Sequence, residues 1–213
     1  MVRFLLLLAP VAALQAQPIS YGFKLGSQIT DSSEHSWFYS TSSQSRWTGG
    51  PTVELHLPWR LSVEFDALYR RERANTTFPL SLGAAQNPYL FSSRERTSTW
   101  NFPLLLKYRI LNFSDGRLRP FVNAGASWSY RRNEGTAVYS CLGPQGSCQP
   151  PEYPTELSVA NFGSTSTRFG PAAGTGLEIK TGFGTIAPEI RWNQWSGNTR
   201  NQMIVIVGFT LGR

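Results

Sequence analysis

The stretch Trp100-Asn101-Phe102-Pro103-Leu104-Leu105-Leu106-Lys107-Tyr108-Arg109 alternates in kind from one residue to the next. Trp100, Phe102, Leu104, Leu106 and Tyr108 form one set; Asn101, Leu105, Lys107 and Arg109 form the other. A strand puts the two sets on opposite faces, whereas a helix would mix them. The apolar face is unbroken and carries aromatic rings at both ends, while the opposite face ends in two cations. Such a strand has one face for lipid and one for a polar interior.

The same alternation recurs on either side. Upstream lie Ile19 to Thr30, Thr48 to Leu57 and Leu61 to Arg73; downstream lie Leu118 to Arg131, Ser166 to Lys180, Thr185 to Trp195 and Asn201 to Gly212. With Arg94 to Leu111 around the opening stretch, these predict eight strands. Short connections at Pro58-Trp59-Arg60, Asn112 to Arg117 and Thr181 to Gly184 alternate with longer polar ones at 31–46, 74–93, 132–165 and 196–200. Short turns at one end and longer loops at the other predict an all-β, eight-stranded antiparallel up-and-down transmembrane β-barrel. Closure leaves no sheet edge, which lipid cannot hydrogen-bond. Tyr21, Tyr69, Trp100, Tyr108, Trp128, Tyr130, Trp192 and Trp195 fall near strand ends, where interfacial girdles form.

Composition fits this reading. Aromatic residues make up 13% of the chain and charged residues 15%, below the ~25% of ordinary globular proteins. The mean hydropathy of −0.25 is no objection, because a barrel strand is apolar at every second position only. Arg3, the apolar run Phe4 to Leu14 and the small residue Ala16 predict an export signal over 1–16, leaving 17–213 as the barrel domain. Export and the dispersion of basic residues exclude nucleic acid as the partner behind the net charge of +7; anionic lipid headgroups suit it better. Cys141 and Cys148 are expected to close a loop disulfide in an oxidising compartment, worth at most about 2–3 kcal/mol. Metal binding is the weaker reading of the pair, since no His lies nearby.

Three segments resemble the small outer-membrane β-barrel domain proteins: Tyr21 to Gly26, the Pro-Leu-x-x-Lys-Tyr run ending at Tyr108, and Arg119 to Gly125. The resemblance implies an OmpA/OmpX-like barrel in the outer membrane of a Gram-negative-type bacterium. It also implies a monomer surrounded by outer-membrane lipid and lipopolysaccharide, inserted by the barrel-assembly machinery.

Eight strands enclose only enough room for side chains. The inward positions include Lys24, Glu54, Glu64, Arg70, Lys107, Arg109, Glu178, Glu189 and Arg191, with Asp66 and Lys180 beside them. Both signs are present, so a paired interior charge network that plugs the lumen is expected. The expected role is non-enzymatic: structural, or surface contact through extracellular loops. The aromatic residues Trp37, Phe38, Tyr39 and Trp47 in the first loop and Tyr89, Leu90 and Phe91 in the second are candidates for such contact. A narrow pore is one alternative. A lipid A-modifying enzyme is the other, resting on His35 among Asp31, Ser32, Ser33 and Glu34; His56 lies at the wrong end for it. No cofactor motif or metal-ligand spacing occurs.

Overall fold

A computed structural model describes residues 19–30, 40–41, 47–81, 88–111, 116–141, 157–196 and 201–211. The 1–16 segment and Cys148, and with it the expected disulfide, lie outside the described residues, as does His35. The described residues form ten strands: β1 (Ile19–Gln28), β2 (Ser40–Thr41), β3 (Trp47–His56), β4 (Leu61–Asp66), β5 (Leu68–Ser81), β6 (Pro88–Arg109), β7 (Leu118–Cys141), β8 (Leu157–Lys180), β9 (Thr185–Gln194) and β10 (Asn201–Leu211).

Each strand pairs antiparallel with its neighbours, and β1 pairs with both β3 and β10, which closes the sheet. β4 and β5 are one barrel strand interrupted at Ala67, so the ring has eight staves, with β2 a short addition to β5. The interruption has a chemical cause. Ala67 lies opposite Pro51, whose carbonyl accepts from the Ala67 N–H at 3.0 Å, and Pro103 falls between the paired positions Leu104 and Asn101 on the other side. Neither proline has an N–H to donate back, so the ladder weakens on both sides at once.

Alternation sorts the side chains inside out. Phe23, Leu25, Leu104, Leu106, Phe169, Ile190 and Val207 are exposed on the outer wall, while Lys24, Glu64, Asp66 and Arg191 are buried within it. An apolar belt of this extent suits hydrocarbon as its solvent.

Two expectations need correction. The stretches 74–93 and 132–165 are not loops throughout: β5 runs on to Ser81, β6 begins at Pro88, β7 reaches Cys141 and β8 starts at Leu157. β6, β7 and β8 have 22, 24 and 24 residues, about twice the 9–11 that a membrane crossing needs. Beyond the membrane both faces of a sheet can be polar, so these extensions carry no apolar alternation, and Ser, Thr, Asn and Arg there read as loop. Tyr89, Leu90 and Phe91 are accordingly strand residues, paired with Leu80, Pro79 and Phe78. Trp195 is not a girdle residue either. It follows Arg191 and Asn193 onto the inner face, where its Nε1 donates to Gln202 Oε1 at 3.2 Å.

The turn at Pro58-Trp59-Arg60-Leu61 has φ of 62° at Trp59 and 66° at Arg60. Positive φ at both central residues is the type I′ geometry that Asn-Gly adopts with least strain. Replacing the pair with Asn-Gly is expected to stabilise the barrel by about 1 kcal/mol, read as a higher urea midpoint in detergent micelles.

Candidate functional site

The lumen is where buried charge is concentrated among the described residues. Its middle tier is built on β1, β4 and β9. Lys24 Nζ lies 2.5 Å from Glu64 Oε1, 3.2 Å from Asp66 Oδ2 and 3.3 Å from Glu189 Oε2. Arg191 grips the same three carboxylates from the other side. Its Nε donates to Glu189 Oε1 and its Nη1 to Asp66 Oδ2, both at 2.7 Å, and its Nη2 to Glu64 Oε1 at 3.0 Å. Thr52 Oγ1 donates to Asp66 Oδ1 at 2.6 Å, and Asn123 Nδ2 to Glu189 Oε1 at 2.8 Å.

The tier toward the short-turn end is a second cluster. Lys107 Nζ sits 2.6 Å from Glu178 Oε1 and 3.3 Å from Glu54 Oε2, and reaches Glu64 at 3.6 Å, which joins the two tiers. It also lies over the Phe121 ring, 4.2 Å from the centroid. Arg109 donates from Nε to Glu178 Oε2 at 2.7 Å and from Nη2 to Glu54 Oε1 at 2.5 Å. Ser62 Oγ donates to that same Glu54 oxygen. Carboxylates so enclosed are tolerable only because every one is met by cations, with neutral donors added at Glu54, Asp66 and Glu189.

Of the nine network residues expected from sequence, eight meet in these two tiers. Arg70 does not. It sits toward the long-loop end, 2.9 Å from Glu72 and donating to Gln28 Oε1. Along its own stave the buried Leu68, which clusters with Ile204 and Ile206, stands between it and Asp66. Lys180 is exposed at the end of β8. Sequence reading missed the neutral partners Thr52, Ser62 and Asn123, although their parity already placed them inside. It also passed over Ile204 and Ile206, because alternating apolar residues on β10 leave no polar signal for the inner face.

Below Arg109 and Glu178 the lumen widens into a cavity of about 520 Å³ that takes in Ser20, His56, Arg60 and Phe183. Ser20 Oγ and His56 Nε2 lie 2.7 Å apart, and His56 Nδ1 lies 3.7 Å from Glu54 Oε1. The three residue types are those of an acyl-transfer triad. A cation crowds the ring nitrogen that a triad carboxylate would orient, however: Arg109 Nη2 stands 3.2 Å from Nδ1, closer than Glu54, while itself donating to Glu54 and Glu178.

A family model described as outer membrane protein beta-barrel domain matches residues 15–194. The chain belongs to that family. It is therefore a barrel of the outer membrane of a Gram-negative-type bacterium, and the short-turn end of this family member is its periplasmic end. Among solved structures, the chain is similar to Ail, the attachment invasion locus protein of Yersinia pestis, at 9% identity over 92% of this chain and 97% of that one, with a TM-score of 0.41. It is similar also to OprG from Pseudomonas aeruginosa, at 11% identity over 92% of each chain, TM-score 0.43. The N-terminal β-barrel domain of Pseudomonas aeruginosa OprF matches at 11% over 92% of this chain and 97% of that one, TM-score 0.33. No curated protein matches the sequence significantly.

Proposed function

We propose that the protein is a non-enzymatic outer-membrane barrel whose lumen is plugged by its own ion pairs, and that it acts by holding a rigid strand extension outside the cell for surface contact. The observation that carries the plug is the shared grip of Lys24 and Arg191 on Glu64, Asp66 and Glu189, with Asp66 and Arg191 almost wholly inaccessible at 0% and 1% side-chain exposure. An ion crossing this tier would have to part charges that lie 2.5–3.3 Å apart in a poorly solvated interior.

The reading against catalysis rests on the Arg109 cation beside His56 Nδ1 and on the periplasmic position of the ring. The outward role follows from β5 to β8, whose paired ladders continue through Ser81, Pro88, Cys141 and Leu157. A hydrogen-bonded sheet presents a surface at lower entropic cost than loops of the same length.

Purified protein in planar bilayers is expected to show no stable open channel at moderate voltage. Reproducible steps of a water-filled pore would sink the plug. For the surface role, a variant with β5–β8 shortened to the membrane level should insert normally, seen by its heat-dependent gel shift, yet lose adhesion to host matrix in a cell-binding assay. Undiminished adhesion would refute surface contact through the extension.

A further inference from the structure

On the outer wall, Tyr69, Trp100 and Tyr130 stand side by side across β5, β6 and β7. The Tyr69 and Trp100 rings are 4.9 Å apart, and Phe102 stacks below Trp100 at 6.1 Å. The next outward row toward the cell exterior, about 7 Å higher, is Arg71, Ser98 and Arg132. The row above is Arg73, Arg96 and Glu134, and the one above that is Asn75, Arg94 and Thr136. Five arginines thus share one face with a single glutamate.

The other acidic residues of the same stretch, Glu72 and Glu95, alternate inward, where Glu72 pairs with Arg70. Glu134 is taken by Arg132 at 2.5 Å. Among the described residues, Arg73, Arg94 and Arg96 are exposed and have no ion-pair partner, and Arg71 Nε is shielded from solvent without a hydrogen-bond partner. Among the described residues nothing comparable occurs on the far side of the ring. There the outward positions at this end are Ile29, Trp47, Gln194 and Met203, all uncharged.

We propose that this arginine face on β5–β7 is a binding site for a phosphorylated glycolipid of the outer leaflet. Guanidinium groups take phosphate oxygens bidentately and keep their charge at any accessible pH. The aromatic block directly beneath decides for a lipid over a soluble anion. Rings of this kind lie at the headgroup level, so the arginines stand where headgroup phosphates are, with the apolar wall below to receive acyl chains. The site faces lipid and is independent of whether the lumen conducts.

The test is native mass spectrometry of the purified full chain in detergent, titrated with diphosphoryl lipid A, monophosphoryl lipid A, phosphatidylcholine or inorganic phosphate. The wild type should hold diphosphoryl lipid A most tightly, the monophosphoryl form less, and phosphatidylcholine not at all. R73S/R96S should weaken the diphosphoryl lipid about tenfold, while R168S, which removes an inward cation from the same sheet, should leave it unchanged. The heat-dependent gel shift reports folding of each variant; if the double variant does not fold, R96S alone should show a loss of about threefold. Unchanged affinity in the folded variants, or equal binding of phosphatidylcholine, overturns the site. Inorganic phosphate binding as tightly as lipid A overturns its assignment to a lipid.

Discussion

Replacing Arg191 with Met is expected to lower the stability of the folded barrel by about 3–5 kcal/mol, the range for removing one partner of a buried ion pair. Arg191 is 1% exposed and contacts Glu64, Asp66 and Glu189 at 2.7–3.0 Å. Without it Lys24 faces three carboxylates with help only from Lys107 at Glu64, and water has little access to make up the difference. Met fills most of the volume, so the loss is electrostatic rather than a cavity effect. Urea titration of protein folded into phospholipid vesicles measures it. A second substitution, Glu189→Gln, removes one of the stranded charges while keeping a group to which Asn123 can donate, and should recover part of the loss. A shift below about 1 kcal/mol for Arg191→Met would mean that the pairs are water-screened and the lumen open.

The second large effect concerns backbone approach. A Cβ on Gly170 would lie 1.7 Å from the Gln194 carbonyl oxygen, and one on Gly50 would lie 1.8 Å from the Ala67 oxygen. Both obstacles are main chain of the neighbouring strand, which cannot rotate away. Gly50 also stands beside Pro51 where the ladder is already interrupted, so the strands there have least hydrogen bonding with which to resist being pushed apart. Gly170→Val and Gly50→Val are each expected to cost about 3 kcal/mol or more and to deplete the compact, heat-modifiable band on unheated gels. Gly182→Val is the control. It sits in the β8–β9 turn with nothing within 4 Å of its Cβ and should fold as the wild type does. A normal gel shift in both strand variants would show that the β3–β5 and β8–β9 spacings relax freely.

The site was legible in part, for reasons visible in single residues. Lys107 and Arg109 announced themselves, since charges on alternate positions of an otherwise apolar strand have only the lumen to enter. Arg70 obeys the same parity, yet it lies beyond Leu68 along its stave and pairs with Glu72. Parity assigns a face but not a height, and height depends on the stagger between strands. The Ser20, His56 and Glu54 arrangement escaped notice because Ser20 meets its partners only through the pairing of β1 with β3. The five outer arginines were visible as residues but not as a face. Arg71, Arg73, Arg94, Arg96 and Arg132 are strung across three strands and become neighbours only through register.

What the chain determines by itself is local. A period of two, girdle aromatics and the inequality of its connections settle that it crosses a membrane as strands, how many cross, and which side chains face lipid, because each follows from residues adjacent in sequence. Which charge meets which was decided by closure alone. Lys24 reaches Glu189 across 165 residues and Arg191 reaches Glu64 across 127. Those contacts exist because the stagger of the closed ring brings the inward ends of β1, β4 and β9 to one level, and stagger belongs to the whole barrel rather than to any strand.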